Sequence, residues 1–261
     1  IINDIKDIYE NILKIESQKV TEDSLDGLDI SNSTITVVDN ISLDKVDNIN
    51  TFTQGKITLE LFTDNLTNTE SLRNIPLNSV DTTNTILTIN EVVSFEDINS
   101  SPLFLEQEYP SLELTQVADS IDNVIQLEKS LLAGTTDVIL QNSTIQVLDS
   151  INFENLQTIR SFTDNSIIID EIIGTSEELL KVSNFSDVII SNSDITITDP
   201  IGHAEAVLID GFNNLSGTLT IQQVEDSFSN IVLLDGIETI SIDSSEILVT
   251  DPIGLEEANL I

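Results

Sequence analysis

The chain has no cysteine, methionine or tryptophan, and only nine of its 261 residues are Lys or Arg. Without cysteine, a disulfide, a thiolate nucleophile and a cysteine-based metal site are excluded. No apolar run reaches the roughly eighteen residues that a membrane-spanning helix needs. Neither glycine-rich phosphate-binding motif occurs, and the single histidine, His203, lies near no G-x-S-x-G sequence. These absences favour a non-enzymatic protein, with His203 in a packing or surface role.

The net charge of the chain is strongly negative. Forty-six acidic residues give a formal net charge of −37 and a pI of about 4.1. Nucleic acids and anionic membrane surfaces are repelled, because binding to them depends on basic side chains. The partners that remain are divalent cations such as calcium, cationic surfaces, and further copies of the chain or other surface proteins with metal ions between them.

The residues that are present form a repeat. Five β-branched segments end in an acidic residue at intervals of about 50 residues. These segments are TITVVDNI (34–41), ILTINEVV (86–93), TIQVLDSI (144–151), DITITDPI (194–201) and EILVTDPI (246–253). Helical patterns follow each of them, which predicts parallel strands joined by helices. We therefore expect an α/β solenoid of strand-helix-strand-helix-strand modules.

The repeat also predicts the module boundaries. A partial N-terminal module (1–33) precedes four modules and a partial C-terminal one: 34–84, 85–143, 144–193, 194–245 and 246–261. Because it begins and ends within a module, we expect the chain to be a segment of a longer protein or a processed form. Short polar turns, such as Ser-Asn-Ser at 31–33 and 191–193, separate the modules.

Two kinds of helix are predicted in each module. Asp199-Pro200 is a typical helix start, since Asp is a favoured N-cap and Pro a favoured first residue. The second helix carries an apolar stripe, which in module four consists of Val224, Phe228, Ile231 and Leu234. Residues at 117, 121, 124 and 127 repeat this stripe in module two, which predicts that the second helices begin at Val117 and Val224.

Two segments carry a resemblance to known proteins. VADSIDNVIQLEKSLLAGTTDVILQNST (117–144) and VEDSFSNIVLLDGIETISIDSS (224–245) resemble a repeat of the form V-x-D-T-A-x-N-V, a helix, and then I-T-S-I-x-L-x-D. Large secreted and cell-surface proteins of cyanobacteria and proteobacteria contain it, among them surface-layer, adhesin-like and haemolysin-type proteins. The resemblance implies an extracellular or cell-surface location and a structural role.

The acids that end the first strands are the candidate site residues. Hard cations such as calcium prefer carboxylate oxygens, and a row of such acids along a solenoid suits them. The candidate metal ligands are Asp39, Glu91, Asp149, Asp199 and Asp251. The alternative, which we favour, is that the aspartates among them are N-caps of the helices that follow. A second row is predicted two residues into the second helices, where acids favour the helix dipole: Asp7, Asp64, Asp119 and Asp226.

We therefore expect a structural segment of a surface layer, filament or adhesin stalk, with an assembly that calcium assists. The alternative is an adhesin-type module that binds a glycan or a host surface protein. Module two is longer than the others around SSPLFLEQEYP (100–110), and Phe104 and Tyr109 there would be the place of such a site.

Overall fold

A computed structural model describes residues 2–18, 29–75, 80–101, 111–130, 137–212 and 217–254. The predicted α/β class is confirmed, because parallel strands alternate with helices in a solenoid-like repeat within each unit. The chain divides into two compact units. The first contains Ile1–Val117 and Gln126–Ser143, and the second contains Ala118–Ile125 and Thr144–Ile261.

The strands and helices follow one another in a regular order. The strands are β1 (Asp4–Asp7), β2 (Thr34–Ile41), β3 (Ile57–Asp64), β4 (Val80–Asp81), β5 (Ile86–Val93), β6 (Ser111–Asp119), β7 (Asp137–Ile139), β8 (Thr144–Ile151), β9 (Ile167–Gly174), β10 (Val188–Ile189), β11 (Asp194–Ile201), β12 (Leu219–Asp226), β13 (Ile240–Ser241) and β14 (Glu246–Val249). The helices are α1 (Tyr9–Ser17), α2 (Leu43–Phe52), α3 (Leu66–Ser71), α4 (Phe95–Ser100), α5 (Ile121–Ser130), α6 (Phe153–Arg160), α7 (Ser176–Val182), α8 (His203–Asp210) and α9 (Phe228–Asp235), with one 3-10 turn (Leu72–Asn74) after α3.

Each unit has a parallel sheet. In the first unit the long strands pair in the order β1, β2, β3, β5, β6, with β4 beside β3 and β7 beside β6. In the second unit the order is β8, β9, β11, β12, with β10 beside β9 and with β13 and β14 beside β12. A short strand and the long strand after it thus pair with successive parts of the same neighbour.

The core lies between the strands and their helices. Alternate residues of the long strands are buried, such as Ile35 and Val37 in β2, and the helices bury residues three apart, such as Val46 and Ile49 in α2. These are the period-two and helical patterns that a half-buried strand and an amphipathic helix require. β-Branched residues therefore supply most of the strand side of the core, as their preference for strands favours.

A hydroxyl completes each turn between a short strand and the next long strand, and it is buried at Thr85, Ser143 and Ser193. The short strand pairs with the first two or three residues of its neighbour, and the ladder is then interrupted. At each interruption the last turn residue donates its hydroxyl to a carbonyl of the neighbouring strand: Thr85 to Leu59, Ser143 to Leu114, Ser193 to Ile169 and Ser245 to Ile221. A buried carbonyl that would otherwise lack a partner is thereby satisfied.

Two glycines lie close to the backbone of a turn between modules. A Cβ on Gly217 would lie 2.0 Å from the Ser193 carbonyl oxygen, and one on Gly55 would lie equally close to the Ser33 carbonyl oxygen. Both contacts are far inside van der Waals distance and involve backbone atoms. Only glycine fits this approach without a shift of the main chain.

A bulge interrupts the first strand of each of the four modules. In β2 the register moves from Val37 opposite Leu59 to Asn40 opposite Leu61, so two residues oppose one. The same shift occurs in β5, β8 and β11. The second of these two residues is the acid of the repeat: Asp39, Glu91, Asp149 or Asp199. A bulge can turn a side chain in a new direction, and here it does so for these acids.

The predicted helix starts are wrong for a reason that the bulge explains. Asp199 and Pro200 lie within β11, and α8 begins at His203 with Gly202 as its N-cap. Proline lacks a ladder donor and is accepted in a strand at such a bulge. The second helices also begin later than predicted, since Val117 and Val224 are the last buried residues of β6 and β12. The apolar stripe continues from strand to helix because both face the same core.

Candidate functional site

In each unit, recurrent acids cap helices from the carboxyl ends of the strands. Each carboxylate accepts a hydrogen bond of 2.7–3.0 Å from the first backbone N–H of the helix that precedes its strand. The pairs are Asp39 with Tyr9, Asp64 with Leu43, Glu91 with Leu66, Asp149 with Ile121, Asp199 with Ser176, Asp226 with His203, and Asp251 with Phe228. We call these seven acids the capping row.

The capping row links each helix to the strand that follows it in the chain. The first N–H groups of a helix have no acceptor within the helix, and the positive end of its dipole lies there. A carboxylate from the next strand supplies both the acceptor and the negative charge. Most of these carboxylates are half-buried, while Glu91 and Asp251 are exposed. Asp64 and Asp226 of the second predicted row therefore act in the same way as the five acids of the first.

The predicted helix-capping acids do cap helices, but not the helices that were predicted. The acids at 39, 91, 149 and 199 do not cap the helices that follow them, whose N-caps are Ser42, Ser94, Asn152 and Gly202. They cap the helices before them. The acids at 7, 64, 119 and 226 lie at the last residues of β1, β3, β6 and β12, not inside helices. The bulge and the strand length decide both outcomes.

The aspartates that end β1, β3, β6 and β12 also organise their own chain. Each accepts a backbone N–H from the next residue and an amide N–H from an asparagine four positions later: Asn11, Asn68, Asn123 and Asn230. The sequence reasoning missed these asparagines. The signal that could have found them is the Asp-x-x-x-Asn spacing, which occurs at all four places.

These hydrogen bonds favour the charged carboxylate. Burial by itself would raise the pKa of Asp226, but hydrogen bonds from Asn230 and from the backbone N–H groups of His203 and Ser227 outweigh it and lower that pKa. The hydrogen bond from Asn11, followed by that from the N–H of Ile8, lowers the pKa of Asp7. Both carboxylates are thus held as hydrogen-bond acceptors.

Module three departs from this pattern at two linked positions. Gly174 ends β9 where the other modules have aspartate, and Glu178 stands where they have asparagine. A Cβ on Gly174 would lie 3.1 Å from Glu178 Oε2, and that carboxylate accepts the N–H of Thr175 at 2.9 Å. The glutamate therefore reaches back to the start of its own helix in a capping box. A carboxylate is kept there, although its origin in the sequence has moved by four residues.

The five candidate metal ligands do not form one group. Asp39 and Glu91 lie in the first unit, and Asp149, Asp199 and Asp251 lie in the second. Within a unit they occupy alternate strands, about 10 Å apart, whereas one Ca²⁺ holds its oxygen ligands at about 2.3–2.6 Å. Asp199 already uses both oxygens, for the N–H and the hydroxyl of Ser176. Across the described ranges, no three His, Cys, Asp or Glu side chains are grouped so as to hold a metal ion.

Other expectations have separate outcomes. His203 is the first residue of α8 and donates its backbone N–H to Asp226 at 2.9 Å. The segment proposed for an adhesin site, with Phe104 and Tyr109, lies outside the described residues. In the part of the chain that the structure describes, no helix has the length and apolar character needed to cross a membrane.

Comparison of the chain with protein-family models, with curated proteins and with solved structures gives no match.

Proposed function

We propose that the chain is a non-enzymatic structural segment of a bacterial extracellular or cell-surface protein, such as a surface layer, a filament or an adhesin stalk. The observation that supports this proposal is the capping row. The same hydrogen bond recurs along the chain and links each helix to the strand that follows it, which stabilises a repeated structure rather than a single reactive site. The acidic surface keeps such an array soluble.

The location is the first part of the proposal to test. Antibodies raised against the purified chain would be used for immunogold labelling of thin sections of the organism that produces it. Label at the cell envelope or outside the cell supports the proposal. Label confined to the cytoplasm contradicts it, whatever the stability of the isolated chain.

Calcium-assisted assembly is the second part. Carboxylates from two copies could share a cation that one copy alone does not enclose, and extracellular calcium modules bind at about 0.1–1 mM. Equilibrium dialysis at millimolar calcium would measure uptake, and sedimentation velocity would measure assembly, with magnesium as the control. Uptake together with larger assemblies supports this part. A chain that takes up no calcium and stays monomeric excludes it but leaves the structural role to be judged by location.

A further inference from the structure

Two neighbouring helices of the second unit expose large apolar side chains. These are Val207 and Leu208 on α8, and Val232 and Leu233 on α9, which we call the outer apolar patch. Their exposed fractions are 41%, 55%, 47% and 54%. α8 and α9 pack side by side, so the four side chains belong to one surface. Contiguous apolar surface of this kind marks an interaction site more often than scattered single residues do.

The patch is a property of these helices and not of the repeat. Val207 and Leu208 lie between the buried residues Ala206 and Ile209, and therefore face away from the core. Both of these positions are polar in α2 (Asp47, Asn48) and in α6 (Gln157, Thr158). In α1, α5 and α7 only the first of them is apolar, and a polar residue follows it: Lys14, Gln126 or Lys181. Among the described helices, α8 and α9 alone have apolar residues at both positions, so the repeat does not require the second one.

The surroundings of the patch are predominantly acidic. Lys181 lies on α7, which packs against α8, and its ammonium is paired with Glu177 at 2.8 Å. No Lys or Arg follows it in the sequence, and α8 itself carries Glu205 and Asp210. Beside α9, a cavity of about 250 Å³ is lined by Ile231, Val232 and Ile242 together with Asp235 and Asp243. Val232 thus belongs both to the patch and to this recess, whose mainly polar lining includes the two carboxylates.

We propose that the outer apolar patch binds a cationic amphipathic helix of a partner protein. Leucine-type side chains spaced three and four residues apart would cover the four apolar residues, and flanking Lys or Arg would face the acids around them. A second copy of this chain would bring acids against acids, and an anionic membrane would be repelled likewise. Charge complementarity therefore selects the cationic partner.

A designed peptide tests this proposal. A fluorescent helix of about 14 residues, with leucines on one face and lysines on the other, would be titrated with the full chain at about 150 mM salt. A peptide with glutamate in place of lysine is the first control. The double variant Leu208→Ser/Leu233→Ser removes the patch without changing the charge. The matched control is Leu148→Ser, which alters a strand residue that is 52% exposed in the same unit.

The expected result is saturable binding of the lysine peptide that is at least about tenfold weaker in the double variant and unchanged in Leu148→Ser. Tenfold corresponds to about 1.4 kcal/mol, less than the burial of two leucine side chains contributes. Equal affinity for all variants would show that net charge alone attracts the peptide, and would overturn the proposal. Absence of binding would overturn it too. So would a dimer of the chain that the double variant abolishes, because a second copy would then cover the patch.

Discussion

Single carboxylates in this chain supply both a hydrogen-bond acceptor and a negative charge to the N-terminus of a helix. Asp199 accepts the N–H of Ser176 at 2.7 Å and its hydroxyl at 2.9 Å, across 23 positions of sequence. The bond is charge-assisted and lies at the positive end of a helix dipole, both of which strengthen it. The same carboxylate adds repulsion to a chain of net charge −37, which opposes its stabilising contribution.

We expect Asp199→Ala to lower the free energy of unfolding by about 1 kcal/mol, as loss of an N-cap does. Asp199→Asn keeps an acceptor and should recover part of that loss. Chemical denaturation would measure both variants. Glu238→Ala, which removes the same charge from an exposed turn position in this unit, is the control. If the control loses as much stability as Asp199→Ala, the cap contributes nothing measurable.

Asp81 gives a pH-dependent prediction. The Lys56 ammonium, 2.6 Å away, and then Thr83 hydrogen-bond to this carboxylate and lower its pKa from 3.8 to about 2. Since the folded pKa lies below the unfolded one, this contribution is complete above about pH 4 and is lost as the pH falls towards 2. NMR titration of Asp81 should show the low midpoint, and Lys56→Met should raise it. A midpoint near 3.8 in both proteins would contradict the ion pair.

The sheet is interrupted at two kinds of place that recur along the chain, a bulge and a turn. The bulge adds a residue to the first strand of a module, and the turn removes ladder bonds between the short strand and the next long one. A polar side chain forms a hydrogen bond at each interruption: an acid accepts one at the bulge, and a hydroxyl donates one at the turn. Short Ser and Asn segments predicted the turns, but the hydrogen bond of the hydroxyl to a neighbouring carbonyl needs the paired strand to be in place.

We expect Ser193→Ala to lower the free energy of unfolding by about 1–3 kcal/mol, because the Ile169 carbonyl then stays buried without a partner. Ser193→Thr should be tolerated, since Thr85 makes the equivalent bond to the Leu59 carbonyl. Thermal or urea unfolding would measure the two variants side by side. Equal stability of Ala and Thr at this position would show that the hydroxyl is dispensable.

The chain as a whole combines an apolar interior with a surface of one charge. Hydrophobic residues make up 39% of the sequence, and nine Lys or Arg face 46 acids. Long-range repulsion among these acids favours expansion, and dissolved salt screens it over about 10 Å at 0.1 M. The balance between core and surface therefore depends on ionic strength.

We expect the unfolding temperature to rise as sodium chloride is increased from about 10 mM to about 500 mM, because screening relieves repulsion within the folded state. Differential scanning calorimetry would follow it. Tetramethylammonium chloride should act in the same way if screening is the cause. A rise with calcium at matched ionic strength but not with either monovalent salt would instead indicate specific cation binding.

Sequence periodicity determined the class of this fold, the parallel arrangement and the recurrence of acids, because strands and helices impose their own spacing on apolar residues. The tertiary structure decided the direction in which each acid points. An Asp next to a Pro is a sound local helix start, yet Asp199 lies in a bulge whose existence depends on the neighbouring strand. Likewise Asp226 and His203 are 23 residues apart and meet only when two coils are side by side. Contacts between coils have no local signature, so the tertiary structure alone assigns the capping row.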